Sequence, residues 1–201
     1  RAAMRPLGDY LAARLPDQHW APGEVVSYSN HGMALAALVA EREAGVTYDE
    51  LARREVFAPL GMTRTWYVDP PGGSVGRHQV PGYRCGDSDC ERAPVVWSHA
   101  YPVGLAFSTA ADMSRFLLAF TADSSPLATS TREMALRRLF THDPRIPGIG
   151  AAFFEQQWKG HTLFTHAGGV PGTSTVLAIA PDARLGVFIA TNAGEPGFVR
   201  E

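Results

Sequence analysis

The chain has 201 residues, enough to enclose a core and in keeping with one domain or a large part of one. Hydrophobic residues at 45% and charged residues at 19% describe a globular chain rather than a disordered tail, and a net charge of −2 with both signs scattered leaves no basic face for nucleic acid. No stretch reaches the roughly 18 consecutive apolar residues that a membrane-crossing helix requires.

The chain opens in mid-pattern: Ala2 to Leu15 reads as a helix entered without a charged leader, which suggests a truncated start. A Pro-Gly turn precedes "SYSN", and Asn30 to Ala44 then carries Met33, Leu35, Leu38, Val39 and many alanines, a helical composition that stops at Gly45. "TYDE", Thr47 to Glu50, has capping-box spacing and opens a helix through Val56, which Pro59 and Gly61 break. From Asp69 to Pro102 the density of Pro and Gly predicts a long ordered loop or lid, with "VVW" (95–97) as a short extended piece. Helix returns at "STAADMSRFLLAF", where Ser108 or Thr109 can cap and Met113, Phe116, Leu117 and Phe120 share a side. Another helix begins near "STREMALRRLF", with Ser130 placed to cap three residues before Glu133.

From Ile149 the period changes to that of strands: "GAAFFEQQW", "HTLFTHAGG" and "STVLAIAPDARLGVFIATN" follow, the last split by a Pro181-Asp182 turn. A mainly helical part over 1–145 followed by antiparallel strands over 146–194 predicts an α+β class. Cys85 and Cys90 lie in a Gly/Asp/Ser loop, where a short-loop disulfide and two unpaired thiols both remain open. Adding His78 and His99 to them makes no zinc spacing. No cofactor or metal site is read.

Two stretches carry chemistry. In "YSN", Ser29 or Asn30 can cap the helix while Tyr28 packs beside it; alternatively Tyr28 and Asn30 project into a cleft, the phenol as a proton carrier and the amide as a hydrogen-bonding group for substrate. In "THAGGVPGTST", His166 is followed by Gly168 and Gly169, which allow a substrate close to the backbone and free N–H groups for a developing oxyanion. His166 adds a cationic or proton-transferring side chain, although a turn-rich hairpin with an incidental His would look the same.

In this order and separation the two stretches resemble the serine hydrolases of the β-lactamase and penicillin-binding-protein superfamily, nearest its class C β-lactamase-like branch. "PGEVVSYSNHGMALAALVAE", "VFAPLGMTRTWY", "PVGLAFSTAADMSRFLLAF" and "HAGGVPGTSTVLAIAPDARLGVFIATN" are all similar to that family's segments and cover most of the chain. The family combines a Ser-x-x-Lys nucleophile, a Tyr-x-Asn and a Lys-Thr-Gly or His-x-Gly strand. The resemblance implies a β-lactamase/transpeptidase-like fold in which 1–201 is a single partial domain. It implies that Tyr28 relays protons, Asn30 contacts the substrate amide, and His166, at the head of the His166-Ala167-Gly168 match, supports the Tyr or a substrate carboxylate. The N–H of Gly169 would be half of the oxyanion hole.

The first element does not occur: Lys159 is the sole Lys, and Gln156 stands three residues before it. In the family the nucleophile precedes Tyr-x-Asn by many tens of residues, so the expectation is a portion of a serine acyl hydrolase that is itself inactive. A free phenol titrates near 10, and without the motif Lys only His166 remains to favour the phenolate. The implied partner is a small-molecule or short-peptide substrate (β-lactam, D-Ala-peptide or ester), and the implied location periplasmic or extracellular. The alternative is a non-catalytic module that binds peptidoglycan fragments or a protein. Family architecture also places N-terminal strands beside the last strand, so Leu185 to Thr191 would leave an edge open and the isolated chain would aggregate or pack loosely.

Overall fold

A computed structural model describes residues 5–67, 79–86 and 89–193. Among the described residues, five α-helices and a four-stranded antiparallel sheet make up the α+β architecture expected from the switch of period near Ile149. The first helix, α1 (Leu7–Ala12), is shorter than the span read from sequence. Pro6 stands at its cap position, where a fixed φ and a missing N–H suit the entrance to a helix. Residues 2–4 of the expected span lie outside the described residues. Leu7 and Leu11 bury against Ala34 and Ala37 of α2 (Asn30–Ala44), whose end is set by Gly45 at φ 67°.

Thr47 caps α3 (Tyr48–Ala52), its hydroxyl accepting from the Glu50 N–H at 3.4 Å, but the reciprocal half of the box does not form. The Glu50 carboxylate turns instead to Arg53, at 2.6 Å from its Nη2. The helical path then widens into a π-type turn, Arg53–Phe57. Between it and α4 (Ala110–Thr121), "VVW" is irregular rather than extended. The extended pieces of that region are β1 (Tyr83–Cys85) and β2 (Cys90–Arg92), a small hairpin in which Cys85 and Cys90 stand directly opposite and are joined by a disulfide. Of the expected lid 69–102, residues 69–78, 87 and 88 lie outside the described residues.

Thr109 caps α4 by accepting from the Asp112 N–H at 3.2 Å, while Ser108 turns to the hydroxyl of Thr65 at 2.8 Å. In α5 (Thr129–Ala135) Ser130 is not a cap: the helix starts one residue earlier, with Ala128 at the cap position. Arg132 donates back to the Ala122 carbonyl at 3.2 Å and ties the helix to the chain before it.

The sheet runs in the order β3 (Phe154–Trp158), β4 (His161–Val170), β5 (Thr173–Ala180), β6 (Leu185–Thr191), all antiparallel. Residues paired across strands share a face. Phe164 pairs with Ile179 and Leu177 with Phe188, and that face packs on Leu117 and Phe120 of α4. The helix comes so close that a Cβ on Gly186 would lie 2.9 Å from the Leu117 Cβ. On the opposite face Leu185, Val187 and Ile189 are exposed, and among the described residues β6 is an edge strand.

The β1–β2 hairpin docks where β4 turns into β5. Gly82 and Gly172 meet backbone to backbone, with a Cβ on Gly82 falling 2.7 Å from the Gly172 oxygen and one on Gly172 falling 2.5 Å from the Ala93 Cβ. The Tyr83 N–H donates to the Asn192 carbonyl at 2.8 Å, and Asn192 donates to the Pro81 carbonyl at 3.0 Å.

Candidate active site

Ser29 resolves the double reading of "YSN". Its backbone is extended and its hydroxyl accepts from the Gly32 N–H at 3.0 Å, so the middle residue caps α2 and its two neighbours are released from that duty. Asn30 becomes the first helical residue, exposed. Tyr28, 56% exposed, turns toward the sheet. Its ring centroid lies 6.1 Å from that of His166 in β4, so the two residues meet although most of the chain separates them.

The strands define which backbone groups face that meeting point. Pro171 and Gly172, the latter at φ 77°, form a two-residue turn that joins Val170 to its partner Thr173. The closing pair of such a hairpin exchanges hydrogen bonds, and strict alternation then directs His166 and Gly168 toward β5. Ala167 and Gly169 point their N–H and C=O groups to the other edge. The second hairpin gives the same parity: Trp158 and His161 close around Lys159-Gly160, so Thr165 bonds with β3 at the last pair, Phe154 with Thr165. Beyond Thr165 no strand covers that edge among the described residues. The Gly169 N–H therefore points to an open edge beside the Tyr28–His166 pair. Gly168 answers a different need, because a Cβ there would lie 2.8 Å from the Thr175 hydroxyl oxygen.

A residue the sequence reading passed over completes the group. The Phe154 ring lies 6.0 Å from Tyr28 and 5.9 Å from His166. Only the pairing register distinguishes it from Phe153, which faces the other way into the core. Next to it Glu155 is buried, and Arg138 grips its carboxylate with two hydrogen bonds, one of them 2.6 Å from Nη2 to Oε1. That guanidinium, helped by the Gly148 N–H at 3.0 Å, holds the Glu155 carboxyl below its ordinary range against the opposing effect of burial.

No group of three or more His, Cys, Asp or Glu that could hold a metal occurs among the described residues. The two cysteines are bonded to each other, and the His99 Nδ1 accepts from the Arg5 N–H at 3.0 Å; His78 lies outside the described residues. No helix among them is long and apolar enough to cross a membrane. The site brings together a phenol and an imidazole beside backbone donors on an open strand edge, and Asn30 stands exposed at the start of the neighbouring helix.

A family model described as Beta-lactamase matches residues 6–201. Penicillin-binding protein 4 of Amycolatopsis lactamdurans is 27% identical, the match covering 93% of this chain and 54% of that protein. The chain thus spans about half the length of this relative. Among solved structures, the class C beta lactamase from Rhodobacter sphaeroides superposes with a TM-score of 0.73 at 20% identity over 96% of this chain and 62% of its own. The D-amino acid amidase from Ochrobactrum anthropi SV3 gives 0.71 at 22% identity over 98% and 59%. At those identities the two likenesses show the fold.

Proposed function

The chain belongs to the beta-lactamase family, whose members are serine acyl hydrolases, and from that membership we propose that it is the part of such an enzyme that manages protons and holds the acyl group. The observation that carries this reading is the convergence of Tyr28 and His166 beside the open edge of β4. The nucleophile is a serine of a Ser-x-x-Lys element supplied outside these 201 residues, since none occurs within them. The serine attacks a carbonyl. Tyr28 takes its proton and passes one to the leaving group, His166 supports the phenol or a substrate carboxylate, and Asn30 contacts the substrate amide. The Gly169 N–H stabilises the oxyanion, and water then releases the acyl group. Gly168, lacking a side chain, lets the substrate approach the strand backbone closely. β-Lactams, D-Ala-peptides and esters all present the carbonyl this scheme needs. The disulfide suits a periplasmic or extracellular setting.

Without the serine, a relay and half an oxyanion hole leave little rate enhancement. The 201-residue chain is expected to hydrolyse neither a chromogenic β-lactam nor a short-chain p-nitrophenyl ester above a Tyr28→Phe control. A longer chain that carries the serine is expected to be acylated, and Tyr28→Phe there to lower kcat by about 10²–10⁴-fold, the usual contribution of a positioned proton carrier. A coding sequence with no Ser-x-x-Lys upstream would turn the reading to the non-catalytic module that binds peptidoglycan fragments or a protein.

A further inference from the structure

Tyr28 and His166 have no hydrogen bond to hold them together: among the described residues neither side chain has a hydrogen-bonding partner, and both make only ring contacts. Each of them touches Phe154, and the three centroid distances, 5.9, 6.0 and 6.1 Å, make a nearly equilateral triangle of tilted rings. Phe154 is the fixed corner. It is held opposite Thr165, whose hydroxyl donates to the Phe154 carbonyl at 3.3 Å, and it bridges to Ile149. The next residue is anchored twice over, by the Glu155 N–H donating to the Gly148 carbonyl at 2.9 Å and by the Arg138 grip on its carboxylate. Tyr28, by contrast, stands on an exposed stretch before α2 with nothing but ring packing to orient it.

We propose that Phe154 is a positioning residue that holds the Tyr28 phenol against the His166 imidazole at the open end of β4, a role that rests on reading those two as the working pair. The rigid start of β3 carries the ring, and the ring transmits that rigidity to two side chains that lack polar anchors. Phe154 itself moves no proton and touches no reacting atom. Its contribution is to restrict the phenol of an exposed tyrosine to one direction, which an oriented proton carrier requires.

The test uses the 201-residue chain with labelled aromatic rings and reads the nuclear Overhauser contact between the Tyr28 and His166 ring protons. In Phe154→Leu, which removes the ring but leaves an apolar side chain, the contact is expected to vanish, with the amide spectrum of the sheet retained. Phe154→Tyr, which keeps the ring, is expected to keep the contact. Phe154→Met serves as the ring-free variant should the Leu protein fail to fold. Persistence of the contact in a folded ring-free variant would overturn the proposal, as would its loss in Phe154→Tyr. Because this readout needs no turnover, it decides the role of Phe154 even if the acyl-hydrolase reading fails on the longer chain.

Discussion

α4 and α2 are the two longest helices and similarly rich in apolar residues, yet one is finished by its surroundings and the other is not. In α4, Met113 and Phe116 pack into both of the clusters that flank the helix, Leu117 is buried against the sheet and Ala119 against the other cluster; of its large apolar residues Leu118 stands out at 57% exposure. In α2 the buried residues are the small ones, Ala34 and Ala37, while Met33, Leu35 and Val39 are exposed at 46%, 43% and 63%. β6 repeats the pattern of α2 with Leu185, Val187 and Ile189. Amphipathic spacing shows that a helix has apolar residues to bury, but not whether a partner lies against them. The comparison separates a helical core complete in itself from surfaces whose cover, on the proposed reading, is the nucleophile-bearing segment.

The contrast is sharpest at Leu117. Leu117→Ala should cost about 2–5 kcal/mol, because it removes buried methyl groups that press on Gly186, and urea unfolding monitored by circular dichroism measures it. Asp112→Ala should follow at about 2–3 kcal/mol. Its buried carboxylate accepts from the Arg64 N–H at 2.7 Å, the Thr65 hydroxyl at 2.8 Å and the Arg115 guanidinium at 2.9 Å; the Arg64 N–H would lose its partner and the Thr65 hydroxyl would keep only Ser108. Arg138→Ala leaves Glu155 without its guanidinium and should lower the urea midpoint at pH 7 by a smaller amount. Glu155 is more acidic folded than unfolded, so this stabilisation is complete above the ordinary carboxylate pKa of about 4.3 and is lost as pH falls below it through the depressed folded value. The gap between wild type and variant should therefore narrow as pH falls below about 4.3, and a gap that stays constant would break the assignment. On α2, Leu35→Ser and Val39→Ser should shift stability by no more than about 0.5 kcal/mol while reducing aggregation seen by light scattering. A loss as large as that at Leu117 would show that α2 is covered after all.

Much of this architecture is legible in the sequence because the signals are local. Gly45 ends α2 where its φ demands, and the period of two after Ile149 marks the strands. What sequence left open was decided by which donor and acceptor the local backbone brought together. Ser29 rather than Asn30 caps α2, its hydroxyl accepting from the Gly32 N–H, and Ser130 does not cap α5, because it lies inside the helix that Ala128 precedes. "VVW" has the composition of a strand, but the neighbouring Tyr83–Arg92 stretch carries the pairing through its cross-strand disulfide. The candidate site divides likewise. Tyr28, Asn30, His166, Gly168 and Gly169 could be named from motif spacing, while Phe154 could not, since nothing but strand register tells it from Phe153.

The backbone contact between Gly82 and Gly172 bears on the order in which the chain is fixed. The segment around Gly82 lies well before α4, but its docking surface is a turn in the last part of the sequence, so it is held by contacts of high sequence separation. Synthesis delivers this segment early and its seat late. In pulse-labelled hydrogen exchange during refolding, the Tyr83 amide, which donates to the Gly172 and Asn192 carbonyls, should gain protection only after those of β4 and β5, and either glycine changed to Ala should leave the sheet formed with the hairpin adrift.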